Sequence, residues 1–338
     1  MGLQIGDLVT RREVTFNDLK GKTIAIDAFN AIYQFLSSVR QPDGTPLQDS
    51  QGRVTSHLSG LFYRNVALLS EGIKLIYVFD GEYHILKDKT HEKRQEAKDT
   101  AELKFRTALE EEDLDAMEKY AKGTSKLDSK MVAESKELLD ALGICVIQAP
   151  GEGEMQAADF VKRGEAYAVG SQDYDALVVG GTRLIQNLTL ARKRRTVSGF
   201  VYIAPEMIEY ENVINQLGVT GDQLICLAIL VGTDFNPGGI KGIGPKKALD
   251  LVKRRKYPVS IFEEVVERYG EIGFNWREVF EIFKKPNVSK QKVEFPKIDE
   301  EKIKEILVER HEFSKERVEK QLERLREFKR KSMQKTLF

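Results

Sequence analysis

Cysteine, histidine and tryptophan are scarce in this chain: two, four and one among 338 residues. Cys145 and Cys226 both lie in apolar segments and read as reduced core thiols, which excludes a disulfide framework and a cysteine zinc site. No histidine stands in an HExxH spacing, and neither a GxxxxGK[ST] phosphate loop nor a GxSxG nucleophile elbow occurs. Long apolar runs are missing too. The longest, Leu224 to Val231, has eight residues, far short of the ~20 that span a bilayer. The opening segment MGLQIGDLVTRRE has no long apolar stretch or cleavage signature, so the sequence predicts no secretion, no membrane contact and a cytoplasmic location. Nor is there an excess of charge, since 53 Lys+Arg oppose 53 Asp+Glu. Whatever chemistry the chain performs falls to carboxylates, amines and guanidiniums.

What is present is a folded composition, 41% hydrophobic and 31% charged, in a chain long enough for one large or two ordinary domains. Thr23-Ile-Ala-Ile-Asp27 is a short β-branched run ending in an acid, followed by the helical pattern AFNAIYQFL. Lys74-Leu-Ile-Tyr-Val-Phe-Asp80 and Tyr167-Ala-Val-Gly-Ser-Gln-Asp173-Tyr-Asp175 repeat the arrangement. Such runs alternating with helices predict an α/β fold with a central, mostly parallel sheet flanked by helices. Ligands of these sheets bind outside the carboxyl ends of the strands. Three strands each deliver an Asp to that edge.

Glu152 and Glu154 precede the helical pattern MQAADFV, and Asp234 follows the apolar helix ending at Val231. A single Asp after a strand is ordinary turn chemistry, and a Glu at a helix start is an ordinary cap. Asp27, Asp80, Glu152, Glu154, Asp173, Asp175 and Asp234 in one crevice are not, because seven carboxylates could not all stay ionised without cations. Oxygen donors without His or Cys suit Mg²⁺, with Mn²⁺ as an alternative. Two such ions ~4 Å apart serve phosphodiester cleavage.

Between Glu82 and Lys122, 21 of 41 residues are charged, which predicts exposed helices projecting from the body. There Lys87, His91, Arg94 and Lys98 fall at helical spacing on one face and place a cationic stripe beyond Asp80. From Gly232 to Gly244, five glycines in 13 residues form a turn suited to close approach of a phosphate backbone. Lys241, Lys246 and Lys247 add charge, and Pro245 opens the next helix. Arg192-Lys-Arg-Arg195 reads equally as a duplex contact or an exposed hairpin tip. The last helix, after Ser314, carries Val318, Leu322, Leu325 and Phe328 on one face.

The blocks IAIDAFNAIYQFL, TSHLSGLFYR, VFDG, APGEGEMQAA, SQDYDALVVG and LVGTDFNPGGIKGIGPKKALDLV closely resemble the structure-specific flap endonucleases in their archaeal form, over essentially the whole chain. The resemblance implies a metal-dependent 5′ nuclease that cuts 5′ flaps, acts also as a 5′-3′ exonuclease and serves replication and repair. It implies that the seven carboxylates are the metal site and that Lys87 and Arg94 are basic catalytic residues on a helical arch. Glu82-Tyr83-His84 departs from the family's Pro-containing stretch there. Tyr33 resembles the aromatic that stacks a base. Arg40, Thr55, Ser56 and Arg64 resemble backbone contacts, as do Lys241, Gly242, Gly244, Lys246 and Lys247 in the turn, where the family also binds K⁺. Gly2 resembles a terminus lying close to the active site. Gln334, Leu337 and Phe338 resemble the start of a box that binds the sliding clamp, although the usual aromatic pair is missing. The implied organisation is one nuclease domain over 1–325, with an N-terminal region 1–100, an arch 82–130, an internal region 131–260 and C-terminal helices 261–325. A flexible tail over 326–338 follows, and a monomer is expected to bind branched DNA. The rivals are a related 5′ exonuclease or PIN-like ribonuclease, and a DNA-junction binder with a vestigial site.

Overall fold

The computed structural model describes residues 5–82, 84–110, 116, 120, 122–189, 193–196 and 199–335. Nine strands lie among them: β1 Arg12–Glu13, β2 Thr23–Asp27, β3 Lys74–Phe79, β4 Cys145–Gln148, β5 Ala168–Gly170, β6 Arg183–Gln186, β7 Lys193–Thr196, β8 Gly199–Tyr202 and β9 Glu206–Glu209. Seven form one sheet in the order β1-β9-β6-β5-β2-β3-β4, and β7 with β8 makes a separate hairpin. The five strands from β6 to β4 run parallel; β9 and β1 add an antiparallel edge.

Adjacent residues of the central strands go to opposite faces. Ile24 and Ile26 of β2, with Leu75, Tyr77 and Phe79 of β3, pack on one side. Ala25, Ile76 and Val78 pack on the other. Both faces are covered, which is why these strands read as continuous apolar runs. The first face carries α1 Ala28–Ser38, α2 Ser56–Ser70 and, beyond the arch helix α3 Asp88–Glu110, α4 Ser129–Ala141. The second carries α5 Gly153–Lys162, the single turn α6 Asp175–Val178 and, after α7 Tyr210–Leu217, the buried α8 Gly221–Val231. Around α8 pack α9 Pro245–Arg254, α10 Pro258–Tyr269 and α11 Trp276–Lys284. No single helix among the described residues is long and apolar enough to cross a membrane.

After α11 the chain runs extended behind the sheet edge to α12 Glu300–Lys304 and then α13 Lys315–Lys335. Gln156 of α5 clasps this strap like a strand partner. Its Oε1 accepts from Ser289 N at 2.8 Å, and its Nε2 donates to Ser289 O at 3.1 Å. Gln291 Nε2 donates to Gln148 O at 2.6 Å. Val318, Leu322 and Leu325 of α13 are buried against the first face, as their helical spacing predicts. This helix does not stop at 325 but continues through Lys335.

The second residue of α2, His57, is fully buried, and neither ring nitrogen has a hydrogen-bond partner. Burial, reinforced by the nearby His311, holds its pKa down to about 4 from 6.5. The unfolded chain takes up this proton as pH falls through 6.5, while the folded protein refuses it until about 4. The His57 contribution to stability is therefore expected to fall across that window, by roughly 3 kcal/mol. Urea unfolding at a series of pH values checks this: relative to wild type, His57→Leu should lose less stability, or gain more, between pH 6.5 and 4, whatever it does to absolute stability. An unchanged slope would assign the effect elsewhere.

Candidate metal centre

Strand β2 is where the sheet order reverses, with β3 and β4 on one side and β5 and β6 on the other. The crevice outside its carboxyl end is the expected ligand position of such a sheet, and the acidic residues gather there. Asp27 ends β2 and caps α1, accepting from Asn30 N at 3.1 Å; Asn30 in turn donates its Nδ2 to Asp173 Oδ2 at 3.0 Å. Asp80 follows β3 and accepts from Gly153 N at 2.7 Å. A Cβ on Gly153 would stand 2.8 Å from Asp80 Oδ1 and 2.9 Å from Val78 O, so only glycine lets α5 start this close. Gln148 donates its side-chain Nε2 to the Asp80 carbonyl, and Lys136 Nζ orients the same amide by donating to its Oε1 at 2.6 Å. Glu152 is the N-cap of α5, and Glu154, in its first turn, accepts from Ala176 N at 3.1 Å. That contact ties α5 to the turn carrying Asp173 and Asp175. Asp234 arrives from the end of α8, and its carbonyl accepts from Thr90 Oγ1 of α3 at 2.6 Å.

Crowding and burial disfavour ionisation here. Burial first, and then the Asp80 charge, push Asp27 well above the carboxylate range; burial and Asp175 do the same to Glu154. Burial, with Glu152 next, lifts Asp80 to about 6, and burial with Asp173 lifts Asp175 to about 7. Burial also raises Asp173. Asp175 Oδ1 and Asp234 Oδ1 are buried with no hydrogen-bond partner.

Lys87 and Arg94 stand among these carboxylates. Lys87 Nζ donates to Glu152 Oε2 and lies 3.9 Å from Asp234 Oδ2, over the Phe235 ring at 5.0 Å. Arg94 Nη2 contacts Asp234 Oδ2 at 2.6 Å. Lys87 belongs to a 3₁₀ turn, Ile85–Lys87, ahead of α3 rather than to the α-helix itself. At 9% exposure it is buried, unlike the solvated stripe its charge run predicts. Burial works against its ammonium, but Glu152 and Asp234 outweigh burial and hold its pKa above the usual value. As they stand, no three acidic, His or Cys side chains among the described residues are gathered tightly enough to grip one ion. The donor set fits hard divalent cations nonetheless: all oxygen, over-acidic, with two carboxylate oxygens wanting a partner.

Because ligands bind metal only when ionised, metal affinity is expected to fall as pH drops through 7 and then 6, where Asp175 and Asp80 take up protons. Calorimetry with Mn²⁺ at pH 8 and pH 6, repeated in buffers of different ionisation enthalpy, should show weaker binding at the lower pH and proton release on binding. Affinity independent of pH would exclude these two groups as ligands.

Tyr33, on α1, is 37% exposed with Lys98 Nζ of the arch over its ring at 5.1 Å, so it is not a buried packing residue. Arg40 donates to Gly44 O and to Ser125 Oγ, both at 2.8 Å; Arg64 is half-buried on α2. Thr55 is 4% exposed, and Ser56 Oγ accepts from Leu47 N at 2.9 Å. In the Gly-rich turn Gly232 and Gly242 have φ of +114° and +86°, and a Cβ on Gly239 would meet Leu230 O at 2.3 Å. Lys241, Gly242, Gly244, Lys246 and Lys247 are exposed there, with Lys247 Nζ donating to Gly242 O at 3.1 Å. Gly2, Leu337, Phe338, Arg192 and the side chains of His91, residues 193–195 and Gln334 lie outside the described residues. Sequence reasoning missed Asn30, Thr90 and Gln148; only Asn30, three residues after Asp27, had a helix-cap signal.

A half-buried carboxylate crevice at the switch point of a parallel sheet, spanned by two arch cations, defines a metal-dependent nuclease. The XPG N-terminal domain matches residues 3–101 and the XPG I-region residues 143–234. Flap endonuclease 1 of Aeropyrum pernix is 49% identical, covering 96% of this chain and 94% of that protein; that of Pyrococcus abyssi is 47% identical, covering 100% and 97%. The structure of flap endonuclease-1 from Methanococcus jannaschii shares 41% identity with a TM-score of 0.75, covering 97% of this chain and 98% of that one. The chain belongs to the flap endonuclease family of XPG nucleases.

Proposed function

We propose that this chain hydrolyses branched DNA bearing a 5′ flap, at the junction of single strand and duplex, leaving a 5′-phosphate, in replication and repair. The observation that carries this reading is the placement of Lys87 and Arg94 directly on Glu152 and Asp234, where a scissile phosphate would meet the metal site. Asp27, Asp80, Glu152, Glu154, Asp173, Asp175 and Asp234 would hold two Mg²⁺ ions, or Mn²⁺ in their place. When bound, the ions supply Lewis acidity at the phosphate. With the carboxylates thus neutralised, Lys87 and Arg94 turn to the phosphate oxygens and stabilise charge developing there. Tyr33 stacks a base beside them. The Gly232–Gly244 turn, with a K⁺ ion, grips duplex backbone without reading bases. Gln334, Leu337 and Phe338 anchor a monomer to the sliding clamp, in the cytoplasm.

Labelled flap, nicked, duplex and single-stranded substrates test the reading, with Mg²⁺ and with EDTA. Flaps should be cut fastest with Mg²⁺ and not at all with EDTA; cleavage of single strands as fast as flaps would refute junction selectivity. Deleting Gln334 to Phe338 should spare flap cleavage and weaken clamp binding in calorimetry. Equal clamp affinities would remove the tail from the proposal.

A further inference from the structure

The second strongly charged cluster lies 20–34 residues beyond Asp234, at the junction of α9 and α10. Glu264 there is 3% exposed, yet three guanidiniums converge on its one carboxylate. Arg254 Nη2 lies 3.1 Å from Oε1, Arg255 Nε 2.6 Å from Oε2 and Arg268 Nε 3.0 Å from Oε1. Each of the three arginine side chains remains 49–53% exposed and has no other ion pair among the described residues. One negative charge balances one guanidinium, so two positive charges stay uncompensated on side chains already held in place. The base is rigid: Gln223 Nε2 of α8 donates to Val252 O at 2.6 Å and to Arg255 O at 3.1 Å. Arginine forks pre-set in this way match the paired oxygens of a phosphodiester.

The cluster is continuous with the Gly-rich turn. Gly244 caps α9 and Pro245 opens it. Lys246 and Lys253, and likewise Lys247 and Arg254, are seven residues apart and form two rows along the helix. Ten residues of helix span about 15 Å, under half of the ~34 Å repeat of duplex DNA. A duplex held at the turn therefore has backbone within reach of the far end of α9. We propose that Arg254, Arg255 and Arg268, fixed around Glu264, form a second phosphate-binding site that holds the duplex arm beyond the Gly-rich turn. The inference rests on the flap-DNA reading above and extends it to residues outside the turn.

Fluorescence anisotropy of the intact protein on flap DNA, in EDTA and across a salt series, tests it. The double variant Arg255→Gln/Arg268→Gln should lower the slope of log affinity against log salt by about two, one per lost phosphate contact. Arg255→Lys/Arg268→Lys should restore most of the slope. Cutting the duplex arm back on wild-type protein should reduce the slope equally, and the Gln variant should not respond to that shortening. A wild-type slope in a Gln variant with unchanged melting temperature overturns the proposal, as does loss of sliding-clamp affinity with DNA binding intact. Absence of salt-dependent flap binding by the wild-type protein would instead defeat the functional reading itself.

Discussion

Asp175→Asn should reduce flap cleavage to below a tenth of the wild-type kcat while leaving flap binding largely intact. Asp175 is half-buried in the crevice, its Oδ1 is buried with no partner, and burial together with its neighbours Asp173 and Asp234 already resists its ionisation. Asparagine has the same shape but presents an amide where a cation needs a charged oxygen, so the geometry of the ion site is lost. Removing a negative charge does not repel phosphate, hence the retained binding. Asp80→Asn should behave alike, because Gly153 N holds one oxygen of Asp80 and leaves the other for the ion. A tenfold loss corresponds to ~1.4 kcal/mol in the barrier. A folded variant keeping more than a tenth of the rate would remove that residue from the metal site.

Arg94→Ala is expected to cost far more in single-turnover rate than in affinity, and Lys87→Ala the same. Both cations are engaged before substrate arrives, on Asp234 and Glu152. A phosphate must replace a carboxylate as their partner, so their ground-state contribution is small and the gain falls on the transition state. The two share Asp234, at 2.6 Å and 3.9 Å, so the double variant should lose less than the product of the single losses. Rapid-quench kinetics under enzyme excess, alongside binding isotherms, gives both quantities. Affinity losses with unchanged chemistry would make the pair a docking surface instead.

Which parts of this arrangement the sequence disclosed follows from local physics. Strands β2, β3 and β5 were legible because both faces are buried and each run ends in Asp. The antiparallel edge was not. Strand β1 has two exposed residues, and β9 offers only Met207 and Ile208 between glutamates. The seven acids stood out by position, whereas Gln148, which holds the Asp80 carbonyl, and Gln156, which clasps the strap, did not. Gln156 and Ser289 are 133 residues apart, and nothing local marks either. The burial of Lys87 was not legible for a related reason: a charge run reads as surface unless its counter-charges are known. Those counter-charges, Glu152 and Asp234, come from other segments.

The strap behind the sheet has a bearing on how the enzyme comes into being. Residues 289 and 291 brace α5 and the end of β4, and α13 lays Phe328 within about 3 Å of where a side chain on Gly72 would sit, closing the first face. Every acid of the crevice has been synthesised once residue 234 is made, yet the pieces that hold two of its walls are still to come. Chains are made and fold from the N-terminus, so a nascent chain carries all of its ligands in an unbraced crevice. The crevice is thus expected to be braced only after residues 289–328 have been made and have docked.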